Sequence, residues 1–311
     1  MQVARTRAVA LLGLAGSLVE VEADISSQLP AFVLIGLPDA ALAEARDRVK
    51  AAATNAGCAL PARRITVNLS PAALPKQGSG FDLAIAMACL AAAGQVSAAS
   101  VAEVVHLGEL SLDGRLRPIA GVLPAVLAAV RGGAETVMVP AANAAEASLV
   151  SGARVVPVAS LIEAARWHGG DFPESTCEPV ALPHAASSPV AMPGDLADVV
   201  GNELAVEALQ IAAAGGHHLF MHGPPGAGKT MLASRLPGLL PDLSTDAALE
   251  VASLRSLAGG GVPGALDLRP PFEAPHHTAT AASIVGGGSR VIRPGAAPRA
   301  SHGVLFLDEL T

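Results

Sequence analysis

The chain of 311 residues has very few aromatic side chains. Phe, Trp and Tyr together make up 2% of it and tyrosine is absent, although 51% of the residues are hydrophobic. Much of that apolar content is alanine. The composition therefore predicts an α/β protein, rich in helices, in which small side chains pack at the contacts between elements.

Cysteine is also scarce. The chain has Cys58, Cys89 and Cys177, an odd number without the spacing of a metal site. This usage excludes a disulfide framework and is typical of a reducing compartment. We therefore expect a cytoplasmic protein with buried thiols.

No apolar segment is long enough to cross a membrane. Residues 8–19 follow two arginines and imitate a signal peptide, but Gly13 and Gly16 interrupt them and acidic residues follow directly. Residues 83–93 are too short to span a bilayer. We expect no membrane element, and two strands joined by a turn in place of a signal peptide.

An excess of positive charge is missing as well. The formal net charge of −7 argues against a wholly basic nucleic-acid binder. Residues 269–303 reverse this sign locally, because they carry arginines and histidines against the single acid Glu273. Two interpretations stay open. Either the segment faces DNA through Arg290, Arg293 and Arg299, or its arginines, which also include Arg269, pair with acids of an adjacent subunit.

Residues 223–230 fit the pattern G-x-x-x-x-G-K-[ST] at every fixed position. The apolar residues 218–221 before them predict a buried strand, and residues 231–236 predict a helix. In this context the glycines let successive backbone N–H groups point at phosphate oxygens at the start of the helix. The predicted nucleotide-binding residues are Gly223, Pro224, Pro225, Gly226, Ala227, Gly228, Lys229, Thr230 and Met231.

A second apolar run, residues 303–307, ends in Asp308 and Glu309. A buried parallel strand is continuously apolar, and its carboxyl end opens onto the crevice where ligands bind. We expect Thr230 and Asp308 to hold Mg²⁺, Lys229 to contact the β- and γ-phosphates, and Glu309 to activate the attacking water. Together the two motifs predict an ATP·Mg²⁺ site, with Lys229 and Glu309 as its catalytic residues.

The pattern of segments predicts three parts. Residues 1–170 predict an α/β domain with a mixed sheet, the proline-rich residues 171–194 a linker, and residues 195–311 the domain with the phosphate loop. Expected strands are 4–12 and 18–25 (a hairpin), 32–37, 64–69, 104–110 and 115–119 (a hairpin around Asp113-Gly114), 136–139 and 154–158. Expected helices include 39–56, 81–93, 122–130, 143–149, a capped helix reaching Trp167, and 203–214.

Several stretches carry a family resemblance. Asp198-Val199-Val200-Gly201, the phosphate loop, Ala274-Pro275-His276-His277-Thr278, Gly286-Gly287-Gly288-Ser289, Arg293-Pro294-Gly295 and Leu307-Asp308-Glu309-Leu310 resemble the AAA+ module of the magnesium-chelatase-like proteins, the group that includes the ComM (YifB-type) competence proteins. Ala4-Arg5-Thr6-Arg7, Gly36-Leu37-Pro38-Asp39, residues 63–69 and Pro75-Lys76 resemble that family's N-terminal domain, with the ribosomal-S5-like fold shared with Lon protease.

The resemblance implies an S5-like (Lon-like) α+β domain followed by a P-loop AAA+ domain. It further implies an ATP-driven hexameric ring that moves branched DNA during recombination. Two other functions stay open: a motor subunit of magnesium chelatase, or a non-catalytic interaction protein whose ATP site serves assembly. Because the family's AAA+ module continues with a sensor residue, an arginine finger and a lid, we expect a truncated chain with little ATP turnover and no stable hexamer.

Two further activities are disfavoured. A Ser–Lys dyad would need a serine and a lysine where the chain has Gly80 and Leu123, with Ser79 one residue out of place, so we expect no proteolysis. His276 and His277 could form a zinc site, but neighbours on an extended strand point to opposite faces.

Overall fold

The computed structural model describes residues 3–36, 42, 44–76, 78–174, 177–181, 194–287 and 293–308. The chain divides into two compact units. Unit 1 comprises Met1–Pro183 together with Ser256–Ala265, and unit 2 comprises His184–Arg255 and Leu266–Thr311.

A seven-stranded mixed sheet forms the centre of unit 1. The strands of this unit are β1 (Ala4–Leu12), β2 (Ala15–Ser26), β3 (Ala31–Ile35), β4 (Arg64–Ser70), β5 (Val104–His106), β6 (Glu109–Leu110), β7 (Leu116–Arg117), β8 (Thr136–Pro140) and β9 (Arg154–Val158). The order in the sheet is β3-β4-β2-β1-β5-β8-β9, in which β2 is antiparallel to β1 and β4 and the other pairs are parallel. β6 and β7 form a separate antiparallel hairpin.

Side-chain alternation explains the central strands. In β4, Ile65, Val67 and Leu69 are buried while the residues between them are half-buried, the period of two that a sheet with one covered face requires. The helices of this unit are α1 (Ala45–Asn55), α2 (Asp82–Ala92), α3 (Ala98–Glu103), α4 (Val122–Arg131), α5 (Ala144–Ala147) and α6 (Leu161–Trp167). Buried residues of α1, α2, α3 and α6 share one core with this face of the sheet and cover it.

The core of unit 1 contains α2, which is buried along nearly its whole length and packs against β1 and β2. The helix is apolar on all sides apart from Asp82, so it has no solvent face. Asp82 is held by Arg48, whose Nε and Nη2 donate to its two carboxylate oxygens at 2.7 and 2.9 Å. Alanines in this core allow the helix and sheet to approach closely, as the composition predicts.

The mixed α/β architecture and the first hairpin are confirmed. Two local predictions differ. β5 joins the central sheet instead of the hairpin around Asp113-Gly114, because Val104, Val105 and His106 are all buried. The first helix is described from Ala45, and its predicted cap Asp39 lies outside the described residues.

Unit 2 has a small core of Leu196, Leu209 and Leu232. Its helices are α7 (Glu203–Gly215), α8 (Lys229–Ala233), α9 (Thr245–Leu257, whose last two residues count with unit 1), α10 (Ala281–Val285) and α11 (Ala296–Arg299). Its strands are β10 (Phe272–Glu273), β11 (Gly286–Gly287), β12 (Arg293–Pro294) and β13 (Val304–Leu305). β10 pairs with β13 in parallel, and β11 pairs with β12 antiparallel.

Two predictions for this unit are wrong in detail. Residues 218–221 form no strand, and Phe220 is 82% exposed. The second predicted strand, 303–307, is reduced to the half-buried pair Val304–Leu305. A buried parallel strand needs hydrogen-bonded neighbours on both sides, and the described residues of this unit supply none to 218–221.

None of the helices in the described ranges has both the length and the apolarity that a membrane span requires.

Candidate nucleotide-binding site

The phosphate loop turns sharply between residue 223 and the start of α8. Gly226 and Gly228 have φ angles of 81° and 83°, in the left-handed region that favours glycine. Ala227 N–H donates to Pro224 O at 3.2 Å and closes a turn inside the loop. Leu232 and Ala233 are buried, so packing fixes the helix that follows. The predicted loop and helix are both present.

Lys229 lies across its own loop. Its Nζ donates to Gly223 O at 2.9 Å and to Pro224 O at 3.1 Å. Charged phosphate oxygens accept stronger hydrogen bonds from an ammonium group than neutral carbonyls do. The geometry thus places the amine within the loop that the motif assigns to phosphate binding.

Thr230 and Asp308 come together although 78 residues separate them in sequence. The Thr230 hydroxyl donates to Asp308 Oδ2 at 3.3 Å. A hydroxyl and a carboxylate beside a phosphate loop supply the hard oxygen donors that Mg²⁺ prefers. The residues present therefore fit the predicted metal. Glu309 lies outside the described residues, so its predicted role stays a prediction.

The short ladder between β10 and β13 positions Asp308. Val304 N–H donates to Pro271 O at 2.8 Å, and Phe306 N–H donates to Glu273 O at 2.9 Å. The rings of Phe272 and Phe306 stack with their centroids 6.3 Å apart. These contacts hold the backbone that leads from β13 to the carboxylate.

Arg299 forms an ion pair with a residue of this ladder, Glu273. Its Nε and Nη2 donate to the carboxylate oxygens of Glu273 at 3.1 and 2.9 Å, and Nη1 donates to Pro294 O at 3.2 Å. The hydrogen bond and charge of Glu273 raise the pKa of Arg299. The partner of Arg299 is thus an acid of its own chain, which argues against the predicted contact of this residue with DNA.

The rest of the predicted basic surface is divided. Arg269 donates to Asp267 at 3.0 and 3.2 Å, and His302 Nε2 lies 2.9 Å from Glu250 Oε2. Arg293 is exposed on β12, at the end of a glycine-containing ribbon. Arg290 lies outside the described residues.

His276 and His277 differ from their prediction. They lie at a turn, not on a strand, and their ring centroids are 4.0 Å apart, so the two side chains lie together. Thr278 N–H donates to His276 Nδ1 at 3.3 Å. Within the described ranges, no cluster of three or more histidine, cysteine or acidic side chains could hold a metal ion.

Sequence reasoning missed two residues beside the loop. Arg235 donates from Nε to Asp195 O at 3.0 Å and from Nη1 to Met231 O at 2.8 Å, and so ties α8 to the segment before α7. Asn202 ends that segment with a left-handed φ of 57°. Its position just before the helix predicted over residues 203–214 gave no sign of proximity to the loop.

Ser79 and Lys76 do not form a Ser–Lys dyad of the Lon protease type, because each has another partner. The Ser79 hydroxyl donates to the Glu109 carboxylate, and Leu123 is fully buried. Lys76 is buried and donates to the Gly36 carbonyl at 2.9 Å and to the Pro71 carbonyl. Burial lowers the pKa of this lysine. Its amine thus donates to backbone carbonyls and, among the described residues, not to Ser79.

Two family models match the chain. Residues 195–311 match "Magnesium chelatase, subunit ChlI", and residues 21–143 match "Subunit ChlI of Mg-chelatase". A protein of Mycobacterium tuberculosis that carries no assigned function is 53% identical over 99% of this chain and 61% of its own length. The competence protein ComM of Haemophilus influenzae is 44% identical over 97% of this chain and 59% of its own length.

Part of the chain has a further, more distant relative. Lon protease of Mycolicibacterium smegmatis is 32% identical over 143 residues, which are 43% of this chain and 18% of that protein. The chain spans about three fifths of the length of the ComM-like relatives. The two family models cover parts of both units, and the ComM-like similarity covers nearly the whole chain. The chain therefore belongs to the magnesium-chelatase-like family of the ComM type.

Proposed function

We propose that this chain is the nucleotide-binding part of a cytoplasmic AAA+ motor ATPase that acts on branched DNA. The observation that carries the proposal is the contact between Thr230 and Asp308 at the phosphate loop. It joins two motifs that are distant in sequence into one set of oxygen donors at the position where a nucleotide's phosphates would bind.

Each residue of the site has a distinct task in this proposal. The N–H groups of the loop and the Lys229 ammonium bind the β- and γ-phosphates, while Thr230 and Asp308 hold Mg²⁺. When bound, the metal ion neutralises charge on the phosphate chain. Glu309 orients and deprotonates the attacking water. This assignment gives the chain an ATPase role and makes ATP and Mg²⁺ its cofactors.

The DNA-binding part of the proposal rests on Arg293, with Arg290 beside it in sequence. Arg293 is exposed, and among the described residues no acid pairs with it, in contrast to Arg269 and Arg299. An unpaired guanidinium can neutralise a phosphate without reading sequence. We further propose that the whole protein acts as a hexameric ring, as its family resemblance implies.

Binding to a fluorescein-labelled four-way DNA junction tests this function directly. We expect Arg293→Glu to weaken junction binding and to reduce the slope of log affinity against log salt by about one unit or more. Arg63→Glu, an exposed arginine of unit 1, is the control with the same charge change. Equal affinities for the wild type and Arg293→Glu would remove Arg293 from the DNA surface.

A motor subunit of magnesium chelatase is the second candidate, because both matching family models carry that description. The two functions share the ATP site and differ in the partner. A chelatase motor acts on a porphyrin-loading protein, so the second candidate predicts no ATP-dependent change in junction affinity. Junction binding measured with and without ATP separates them.

A further inference from the structure

Asn202 has a backbone conformation that is uncommon for a residue with a side chain. Its φ and ψ are 57° and 34°, and it stands at the N-cap of α7, where its carbonyl accepts from Ala205 and Val206 N–H at 2.9 and 3.0 Å. Asparagine at this position commonly accepts a backbone N–H through its side chain. Here the side chain makes no cap. Its amide therefore caps no backbone N–H group of α7.

The Asn202 amide faces the phosphate loop. A Cβ atom built on Gly228 would lie 3.8 Å from Asn202 Nδ2. Gly228 directly precedes Lys229, so the amide nitrogen lies beside the backbone that the motif assigns to phosphate binding. Among the described residues, Asn202 has no side-chain hydrogen-bond partner of its own.

Contacts on both sides of the segment determine this placement. At its start, Asp195 and Asp198 form a capping box, with Asp195 N–H donating to Asp198 Oδ2 at 3.1 Å. Arg235, which follows α8 at the end of the phosphate loop's helix, donates to Asp195 O. At its end, Asn202 is fixed by α7, which packs on the core that Leu232 of α8 also joins. The amide is thus held beside the loop by structure that does not involve the amide.

We propose that Asn202 is a further nucleotide-binding residue, whose side-chain amide donates a hydrogen bond to a phosphate oxygen of a nucleoside di- or triphosphate. The inference rests on the proposed ATP site. A neutral donor beside the loop adds specificity for the phosphate chain without adding charge, and a hydrogen bond to a charged acceptor is stronger than one between neutral groups. Arg235 is the positioning residue of this arrangement.

The test compares two amide-to-carboxylate substitutions on the same helix. Asn202→Asp turns the donor into a negative acceptor that repels phosphate, and Gln210→Glu makes the same charge change at an exposed site of α7. Titration with a fluorescent N-methylanthraniloyl ATP and Mg²⁺ gives both affinities. We expect Asn202→Asp to bind roughly 10-fold more weakly or worse, and Gln210→Glu to match the wild type within about twofold.

Asn202→Gly separates a phosphate contact from a structural role. Glycine tolerates the left-handed conformation, so the fold is retained while the amide is lost. We expect weaker binding of nucleotide and, in competition experiments, equally weaker binding of inorganic tripolyphosphate, with no change in thermal unfolding temperature.

The outcomes divide cleanly. If the wild type binds nucleotide and loses it in Lys229→Ala, but both Asn202 variants bind like the wild type, then the Asn202 inference is wrong and the ATP site stands. An Asn202→Gly variant that weakens nucleotide but not tripolyphosphate also contradicts a phosphate contact. A wild-type chain without nucleotide affinity overturns the proposed function and this inference together.

Discussion

Lys229 contributes the side-chain positive charge within the phosphate loop, and its amine contacts two loop carbonyls. We predict that Lys229→Ala weakens ATP binding by roughly 100-fold or more, because hydrogen bonds to charged phosphates are lost and no neighbouring cation of the loop replaces them. Titration calorimetry measures the effect. Lys50→Ala, which removes an exposed lysine from unit 1, serves as the control. ATP affinity unchanged in Lys229→Ala would show that the site is elsewhere.

A buried chain of hydrogen bonds in unit 1 makes stability depend on pH. Ser100 Oγ lies 2.8 Å from His168 Nδ1, and His168 Nε2 lies 2.9 Å from His106 Nε2. His106 Nδ1 in turn lies 2.7 Å from Thr6 Oγ1. Burial lowers the pKa of His168 to about 4 and lowers that of His106 well below its ordinary value, and Arg7 adds a like charge nearby. Both imidazoles are therefore neutral in the folded protein near pH 7.

The sign of the pH effect follows from the lowered pKa of His168. Between pH 6.5 and about 4 the unfolded chain binds a proton that folded His168 does not, so the free energy of unfolding falls as the pH falls through this range. We predict a loss of about 2 kcal/mol between pH 7 and pH 5 from His168 alone. The single tryptophan, Trp167, packs edge-on against His168 and reports the transition in urea unfolding followed by fluorescence.

The His168→Gln variant provides the comparison for this prediction. Burial raises the pKa of Asp82 to about 6, with Arg48 opposing the shift, and this group acts in the opposite direction over part of the same range. Asp82 is common to both proteins, so its effect cancels in the difference. A wild type and a His168→Gln variant that lose equal stability between pH 7 and pH 5 would exclude His168 as the cause.

The sequence indicated which residues belong to the candidate site more readily than it indicated which side chains contact each other there. Lys229 and Thr230 were predicted as site residues because the phosphate-loop motif fixes their spacing, and Asp308 because it follows an apolar run. The ion pair between Arg299 and Glu273 could not be predicted from the sequence, because 26 residues separate them and only the fold brings them together. For the same reason nothing in the sequence placed Asn202 beside Gly228, since the relevant contact crosses from the start of one helix to the start of another.

Among the secondary-structure elements, the two-residue strands β10 and β13 bear most directly on the site. Arg299 forms an ion pair with Glu273 of β10, which pairs with β13, and β13 leads to Asp308. We predict that Glu273→Gln lowers the stability of unit 2 by about 1 kcal/mol, since a partly exposed ion pair contributes about that much, and displaces Asp308 from Thr230. The Mg²⁺ concentration needed for half-maximal nucleotide binding should rise several-fold.

Glu250→Gln is the matched control, because Glu250 contacts His302 in the same unit without touching the ladder. Metal-free nucleotide binding should be the same in both variants. An unchanged Mg²⁺ requirement in Glu273→Gln would mean that the ladder does not position Asp308.

Elements in unit 1 were predictable where the burial pattern was complete within the segment. The alternation of β4 and the uniformly apolar α2 decided their type from sequence alone. Residues 218–221 carry an equally apolar pattern, yet form no strand in unit 2. Apolarity indicates a need for burial, whereas a strand also requires a neighbouring backbone that the local sequence does not encode.

For the whole molecule, we predict that residues 1–181 fold without the remainder and show no peptidase activity. The fragment has to extend beyond residue 170, because Phe172 packs against the core of unit 1. It lacks Ser256, whose carbonyl accepts from Gly121 N–H at 3.1 Å and whose hydroxyl donates to the buried Glu146. We expect native-like circular dichroism and a melting temperature several degrees lower, since a buried carboxylate loses a donor.

A casein-cleavage assay tests the prediction that residues 1–181 show no peptidase activity. The hydroxyl of Ser79 contacts a carboxylate and not an amine, so it lacks the lysine partner that a Ser–Lys dyad requires. Cleavage that Ser79→Ala abolishes would contradict the inference that unit 1 lacks a protease site. A fragment that fails to fold would show that residues 256–265 are essential to unit 1.

The inclusion of Ser256–Ala265 in unit 1 also affects how the protein is made. Bacterial ribosomes add roughly 5–20 residues per second, and domains generally fold as units in the order of synthesis. The strands of unit 1 are complete at Val158, but the donor of Glu146 is Ser256, about a hundred residues later. Roughly 5–20 seconds therefore pass during which the nascent chain holds an incompletely satisfied buried carboxylate. We expect this interval to be the period in which the emerging polypeptide depends most on chaperones.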